Sequence, residues 1–300
     1  MDNEIIKQTG KKLYKMHILK ERKRYWVFRF RVYMHKAIIE DLLDFFDQSK
    51  LRQKMLRNTP ALLGQTTRAF FYKGSKFKER AKLVKKHIEI LEDVVTTKML
   101  EKVYVKKEEV LVWSTLFNEQ RLDTKLFFHA GQRKEGCLSL MMTLDKADLY
   151  QIMFWLGVDK KGKRVLYVGA IQGTPNANTI IKKLTKHFFG YRTKNLIFYI
   201  LRQVARNFGA EYIKAVTNEG YYAMNHLRID RKLKTNFAKF WSECGGIING
   251  DERFVEIPIE EHRKKMSELK PSKRSQHRKR FAMLDEITAT IDENMSEFLK

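Results

Sequence analysis

Along this chain the apolar positions follow two rhythms. Up to about residue 105 they recur at helical spacing: Ile38, Ile39, Leu42, Leu43, Phe46 and Leu51 in one stretch, Leu83, His87, Ile88, Leu91 and Val94 in another. Between them and the N-terminus, Val27-Phe28-Arg29-Phe30-Arg31-Val32 alternates like a strand, but the helical periods around it favour helix. From Val103 the apolar residues gather in short runs: 103–105, 110–116, 126–130, 137–144 and 149–158. Turn residues such as Gly131-Gln132, Glu135-Gly136, Asp145-Lys146 and 159–162 stand between them. This reads as consecutive antiparallel strands.

The segment 163–216 organises the rest. Val165 to Ile171 is a Val/Leu/Ile-rich run that ends in Gln172-Gly173, the pattern of a strand buried on both faces. Ile180, Ile181, Leu184 and Phe188 share one helical face, and Gly190 stops that helix. Leu196, Ile197, Ile200, Leu201, Val204, Ala205 and Phe208 form the wide apolar stripe of a second helix, with Gly209 past its end. Tyr212 to Val216 returns to strand. A strand, a helical crossover and a strand make a right-handed parallel unit, whose ligands sit at the strand carboxyl ends beside helix N-termini. That end carries Gln172, Gly173, Arg192, Thr193, Lys194 and Asn218. The fold class expected is α+β: a helical N-terminal region, then a mixed, mostly antiparallel sheet with one strand-helix-strand crossover. The organisation expected is a basic helical region at 1–105, an α/β domain at 106–260, and a basic arm with a C-terminal helix at 261–300. A last strand covers Phe254 to Ile259, with Pro258 marking an edge.

Charge changes the picture most. There are 60 Lys+Arg against 35 Asp+Glu, a net charge of +25, and a pI near 9.9. Such a field attracts polyanions: nucleic acid, an anionic membrane face or phosphorylated ligands. Two stretches concentrate it. Arg24, Arg29 and Arg31 interleave with Tyr25, Trp26, Phe28, Phe30 and Tyr33, a mixture that suits stacking on nucleic acid, lying on anionic lipid, or a helix whose aromatics are simply core. Residues 263–280 carry nine Lys+Arg and one Glu, with Lys273, Arg274, Arg278 and Arg280 as candidate anion contacts. Two cysteines, Cys137 and Cys244, make no disulfide framework. No stretch approaches a membrane span, and the N-terminus has no apolar core of signal-peptide length, so the expected location is cytoplasmic or peripheral to an inner membrane face.

Common catalytic signatures are missing. The eight histidines are scattered without ligand spacing, so no metal site is expected; there is no GxxxxGK[ST] and no GxSxG. Cys137 with His129 or His187 is a conceivable nucleophile-base pair that nothing local marks. The crossover unit resembles the core layout of GNAT-class N-acyltransferases. That resemblance implies a phosphopantetheine thioester donor, acyl-coenzyme A or acyl carrier protein, held by Gln172, Gly173, Gly190, Arg192 and Lys194. The phosphate loop of that class is half present: Gln172-Gly173 follows the strand directly, but a whole helix separates it from Gly190-Tyr191-Arg192. Glu135, as base, and Asn218 are the candidate catalytic residues, and Arg133 and Trp241 are the candidate acceptor-side residues.

Several blocks stand in order along the chain: Arg133 with Glu135-Gly136 and Leu138-Ser139-Leu140; Val168 to Gly173; Leu184-Thr185-Lys186 with Phe189 to Leu196; Ala215-Val216 with Asn218; Phe240-Trp241 with Gly245-Gly246; and Lys273-Arg274 with Arg278 and Arg280. In these blocks the chain resembles the VirK/YbjX family of bacterial proteins, with Thr193 in place of that family's usual Pro. The match is good from Gln132 to Arg280 and looser before it. It implies a role in Gram-negative virulence, envelope homeostasis and survival of cationic antimicrobial peptides. Two functions follow as expectations: an N- or O-acyltransferase, or a non-catalytic basic protein that holds an anionic partner, membrane surface or nucleic acid.

Overall fold

The computed structural model describes residues 3–225 and 236–300. The first half is helical: α1 (Asn3–Leu13), α2 (Leu19–Met34), α3 (Lys36–Asp47), α4 (Lys50–Asn58), a single turn α5 (Ala61–Gly64), α6 (Phe77–Val94) and a second single turn α7 (Thr97–Leu100). The strands follow as β1 (Val110–Phe117), β2 (Gln120–Phe127), β3 (Leu138–Leu144), β4 (Ala147–Val158) and β5 (Arg164–Gly173). Then come α8 (Asn178–His187), α9 (Thr193–Asn207), β6 (Tyr212–Val216), α10 (Phe237–Glu243), β7 (Phe254–Pro258) and α11 (Pro271–Ser296).

All seven strands form one sheet whose spatial order equals the chain order. Every neighbouring pair is antiparallel except β5 and β6, which run parallel because α8 and α9 carry the chain back between them. The protein is thus α+β, with a helical N-terminal half and a mostly antiparallel sheet. Helix α6 packs across β4 on one face, while α9 covers β3, β4 and β6 and α11 covers β1 on the other. α9 is sandwiched between sheet and α11, which is why Leu196 to Ala205 reads apolar almost all round and is buried.

Two sequence expectations change. The run at Val103 and Val105 is not strand: 101–106 is a wide helical turn that buries Val103 and Tyr104 and ends at Lys107 with a left-handed backbone, φ 60°. Branched residues favour strands only weakly, and packing overrides that preference here. The Tyr104 hydroxyl donates to Cys137 O (3.1 Å) and accepts a hydrogen bond from His87 Nε2–H (2.8 Å), whose Nδ1 accepts from Leu156 N (3.0 Å). One buried, neutral histidine thereby stitches α6, the 101–106 turn, β4 and the entry to β3. The second half of the basic run and the acidic terminal helix are also one element. α11 begins at Pro271, a favoured first position, and continues unbroken, burying Leu284, Ile287, Ile291 and Met295. The alternation at 27–32 lies within α2, as the surrounding helical periods indicate.

Candidate functional site

The site begins with a mismatch of strand lengths. The β5–β6 ladder runs only from Val165↔Tyr212 to Val168↔Ala215. Beyond it, Ala170–Gly173 pairs with β4 on one flank and has no strand on the other. The β4 ladder also slips here, pairing Met153 with Ala170 and Phe154 with Val168, so Gly169 is a bulge. The loop before β3 crosses over β4 and reaches the face of β5 at this bulge. That loop is fastened by Cys137 N to Phe154 O (2.9 Å), Phe71 N to Lys134 O (2.7 Å), and the Gln65 side chain to Arg133 O (2.8 Å) and Gly136 O (2.7 Å). A methyl group at Gly169 would run into the Glu135 carbonyl, so this approach requires glycine.

Glu135 is the centre of the site. Both of its carboxylate oxygens accept from Gln172 Nε2, at 3.1 and 3.0 Å, and Oε1 also accepts from the Tyr221 hydroxyl. The residue is 2% exposed. Burial drives its pKa up to about 7, against the opposing pull of the Tyr221 hydrogen bond, Lys134 and Gln172. Burial and the neighbouring carboxylate likewise push the Tyr221 phenol far up, so it keeps its proton. A carboxyl group poised near neutrality, hydrogen-bonded to a phenol at an unpaired strand edge, can take and return a proton at physiological pH.

On the opposite face of β5, α9 begins. Its cap residue is Arg192, and Tyr150 joins it to the strand end: Tyr150 pairs with Gly173, and the Arg192 charge acts on its phenol against the raising effect of burial. Lys194 lies 3.9 Å over the Phe240 ring, and burial brings its pKa down to about 8, with Arg192 adding to the effect. In the same first turn the Thr193 hydroxyl and the Asn195 side-chain oxygen are buried with no hydrogen-bond partner among the described residues. Arg192 is not a free clamp: it forms an exposed ion pair with Glu243.

The other candidates part company with this centre. Trp241 lies in the core, fully buried, and its indole N–H is committed to Val216 O (2.9 Å), so it has no edge to offer an acceptor. The Asn218 side-chain oxygen accepts from Phe237 N (2.8 Å) and Ala238 N (3.2 Å), which caps α10. Gly190, at φ 74°, ends α8 and packs on Gln276 and Arg280. Arg133 donates to Ala130 O (3.0 Å), and burial lowers its pKa. The basic set on α11 divides: Lys273 and Arg278 are exposed, Arg274 folds back to Leu269 O (3.2 Å), and Arg280 grips Phe189 O (2.8 Å), fixing the α8–α9 turn. Cys137 is buried against Gln65, its thiol pushed up by desolvation, and His129 Nδ1 instead accepts from Gln132 N (3.1 Å). Tyr221 is the site residue that sequence reasoning passed over. Its signal was an aromatic pair, Tyr221-Tyr222, shortly after a strand that ends on the same side as Gln172.

A sizeable cavity lies elsewhere. About 1070 Å³ opens between α6 and the far half of the sheet, lined by Tyr72, Trp155, Tyr167, Lys214, Arg253 and Phe254 among others, toward the start of β5. Trp155 stacks on Tyr167 at 5.3 Å and an interplanar angle of 5°. Among the described residues no helix is long and apolar enough to cross a membrane.

The chain is 28% identical over 177 residues to the uncharacterized protein YbjX of Escherichia coli K12, covering 57% of this chain and 52% of that protein. Two uncharacterized proteins of Haemophilus influenzae match at 27% over 131 residues and 24% over 148 residues, covering 43% and 48% of their own lengths. The chain thus spans about half the length of the curated relatives it matches. The family model described as "Protein of unknown function (DUF535)" matches residues 17–293, nearly the whole of the chain, and the protein belongs to that family, the one that includes YbjX.

Proposed function

We propose that this protein transfers an acyl group from a phosphopantetheine thioester, carried by coenzyme A or an acyl carrier protein, to an amine or hydroxyl acceptor, with a GNAT-like core. The observation that carries the reading is Glu135: a buried carboxyl poised at about 7, held by Gln172 and Tyr221 over the unpaired end of β5. As the new C–N or C–O bond forms, the Glu135 carboxylate takes the acceptor's proton. The C–S bond breaks, and the leaving thiolate takes that proton from the Glu135 carboxyl, while the Tyr221 phenol keeps its own and holds the carboxylate in place. The donor supplies an activated carbonyl and an anionic diphosphate or phosphodiester. The first turn of α9 fits such an anion: it offers Arg192, Lys194, backbone N–H groups and the unpartnered Thr193 hydroxyl. The exposed Arg192–Glu243 pair is a weak one that an incoming phosphate would displace at little cost. In the cell the activity would serve envelope homeostasis and survival of cationic antimicrobial peptides, a role carried over from the VirK/YbjX resemblance.

The test separates binding from chemistry. Acyl-coenzyme A and acyl carrier protein should each be titrated while thermal melting and thiol release are followed. Glu135→Gln should still bind donor but lose thiol release by 10²–10⁴-fold. The double variant Arg192→Ala, Lys194→Ala should lose the donor-induced melting shift. Absence of any donor-induced shift in the unmodified protein would overturn the proposal.

A further inference from the structure

Helix α2 has two apolar faces. Tyr25, Phe28 and Val32 point inward and are buried, with Phe28 meeting Tyr14 at 6.0 Å. The outward face carries Leu19 (67% exposed), Trp26 (63%), Val27 (47%), Phe30 (63%), Tyr33 (72%) and Met34 (59%). At 100° per residue these six fall within an arc of about 120°, along a helix about 24 Å long. Core packing does not account for them, because the core-facing side of the same helix is already filled.

Cations border the band on both sides. Arg22 and Arg29 follow one edge, and Lys20, Arg24 and Arg31 the other, with Lys23 inside it. The helix has one acid, Glu21, which is paired with Arg24. We infer that this face lies in the surface of an anionic lipid bilayer, with α2 parallel to the membrane plane. The aliphatic and aromatic side chains would enter the acyl boundary and the flanking Arg and Lys would meet phosphate headgroups. Trp26 and Tyr33 are residue types that settle at that depth.

The charge pattern selects this occupant. A second copy of the chain would bring two cationic borders together at a net charge of +25 each. Nucleic acid would satisfy the borders but leave Leu19, Val27 and Met34 against a charged backbone. A bilayer satisfies both band and borders at once. The inference is independent of acyl transfer, since it involves neither Glu135 nor α9.

The full chain carries its own probe. Of the four tryptophans, Trp113, Trp155 and Trp241 are buried, so a change in tryptophan emission on adding vesicles reports Trp26. Flotation and emission should be followed with vesicles of zwitterionic phosphatidylcholine alone and of phosphatidylcholine mixed with phosphatidylglycerol, at low and high salt. Binding to the anionic vesicles with a blue shift is expected. Phe30→Glu should reduce it by at least about tenfold, through the lost apolar contact. Arg22→Gln should reduce binding to anionic vesicles by about fivefold. Phe30 is exposed, so Phe30→Glu should melt at the unmodified temperature, which guards against misfolding as the cause. The inference is overturned by any of three results: no binding to anionic vesicles, binding that Phe30→Glu leaves intact, or self-association in lipid-free solution that Phe30→Glu abolishes.

Discussion

Two buried titratable groups set opposite demands on the folded state. Glu135 titrates at about 7 against an ordinary 4.5, so between those values the folded chain holds a proton that the unfolded chain has released. That group adds stability as pH falls through the window and withdraws it as pH rises. His87, fully desolvated, sits at about 3 against an ordinary 6.5, so below 6.5 the unfolded chain takes up a proton that the buried ring refuses. That group withdraws stability as pH falls. Each slope is about 1.4 kcal/mol per pH unit, and between 4.5 and 6.5 they nearly cancel. Urea unfolding across that range should show Glu135→Gln losing about 2–3 kcal/mol toward acid, as the His87 slope is left alone, and His87→Gln gaining stability instead. Equal slopes in both variants would contradict the assignment. Tyr221→Phe removes a donor to the carboxylate and should move the Glu135 midpoint above 7, read by carboxyl-carbon NMR.

At the level of elements, periodicity carried most of the information. The α9 stripe, the β6 run and the β3–β4 hairpin were legible because one or both of their faces are buried along their whole length. Val103 and Val105 misled because a short apolar run has no period long enough to separate helix from strand. The strand end at Gln172 was also readable, since Val165 to Gly173 stops where polar residues begin. What meets it there was not readable. Glu135 reaches Gln172 across 37 positions and Tyr221 reaches Glu135 across 86, and no local pattern encodes such meetings. Trp241 and Asn218 were expected on the acceptor side and in the catalytic pair, but the structure commits them elsewhere: a buried indole N–H and a helix cap each demand a specific partner. The bulge makes the Glu135 contact testable. Gly169→Ala should cost about 1–3 kcal/mol and let the Glu135 pKa relax toward 4.5 as loop and strand separate. Stability and carboxyl titration left unchanged would show that the contact does not hold Glu135 in place.

For the whole molecule, sheet order equal to chain order has a mechanical result. Five strands, β1 to β5, and the first half of the helices make a continuous antiparallel block, while β6 and β7 join its β5 edge through a ladder of four pairs. α10 belongs to that leaf, tied by Trp241 to Val216. Local openings follow the weakest seam. Amide exchange should therefore release β6 and β7 together, ahead of β2 to β4, and a protected β6 in an exchanged β7 would refute a common hinge. Swinging the leaf outward would also widen the flank beside Gln172, a doorway of the molecule's own making for a long, thin ligand.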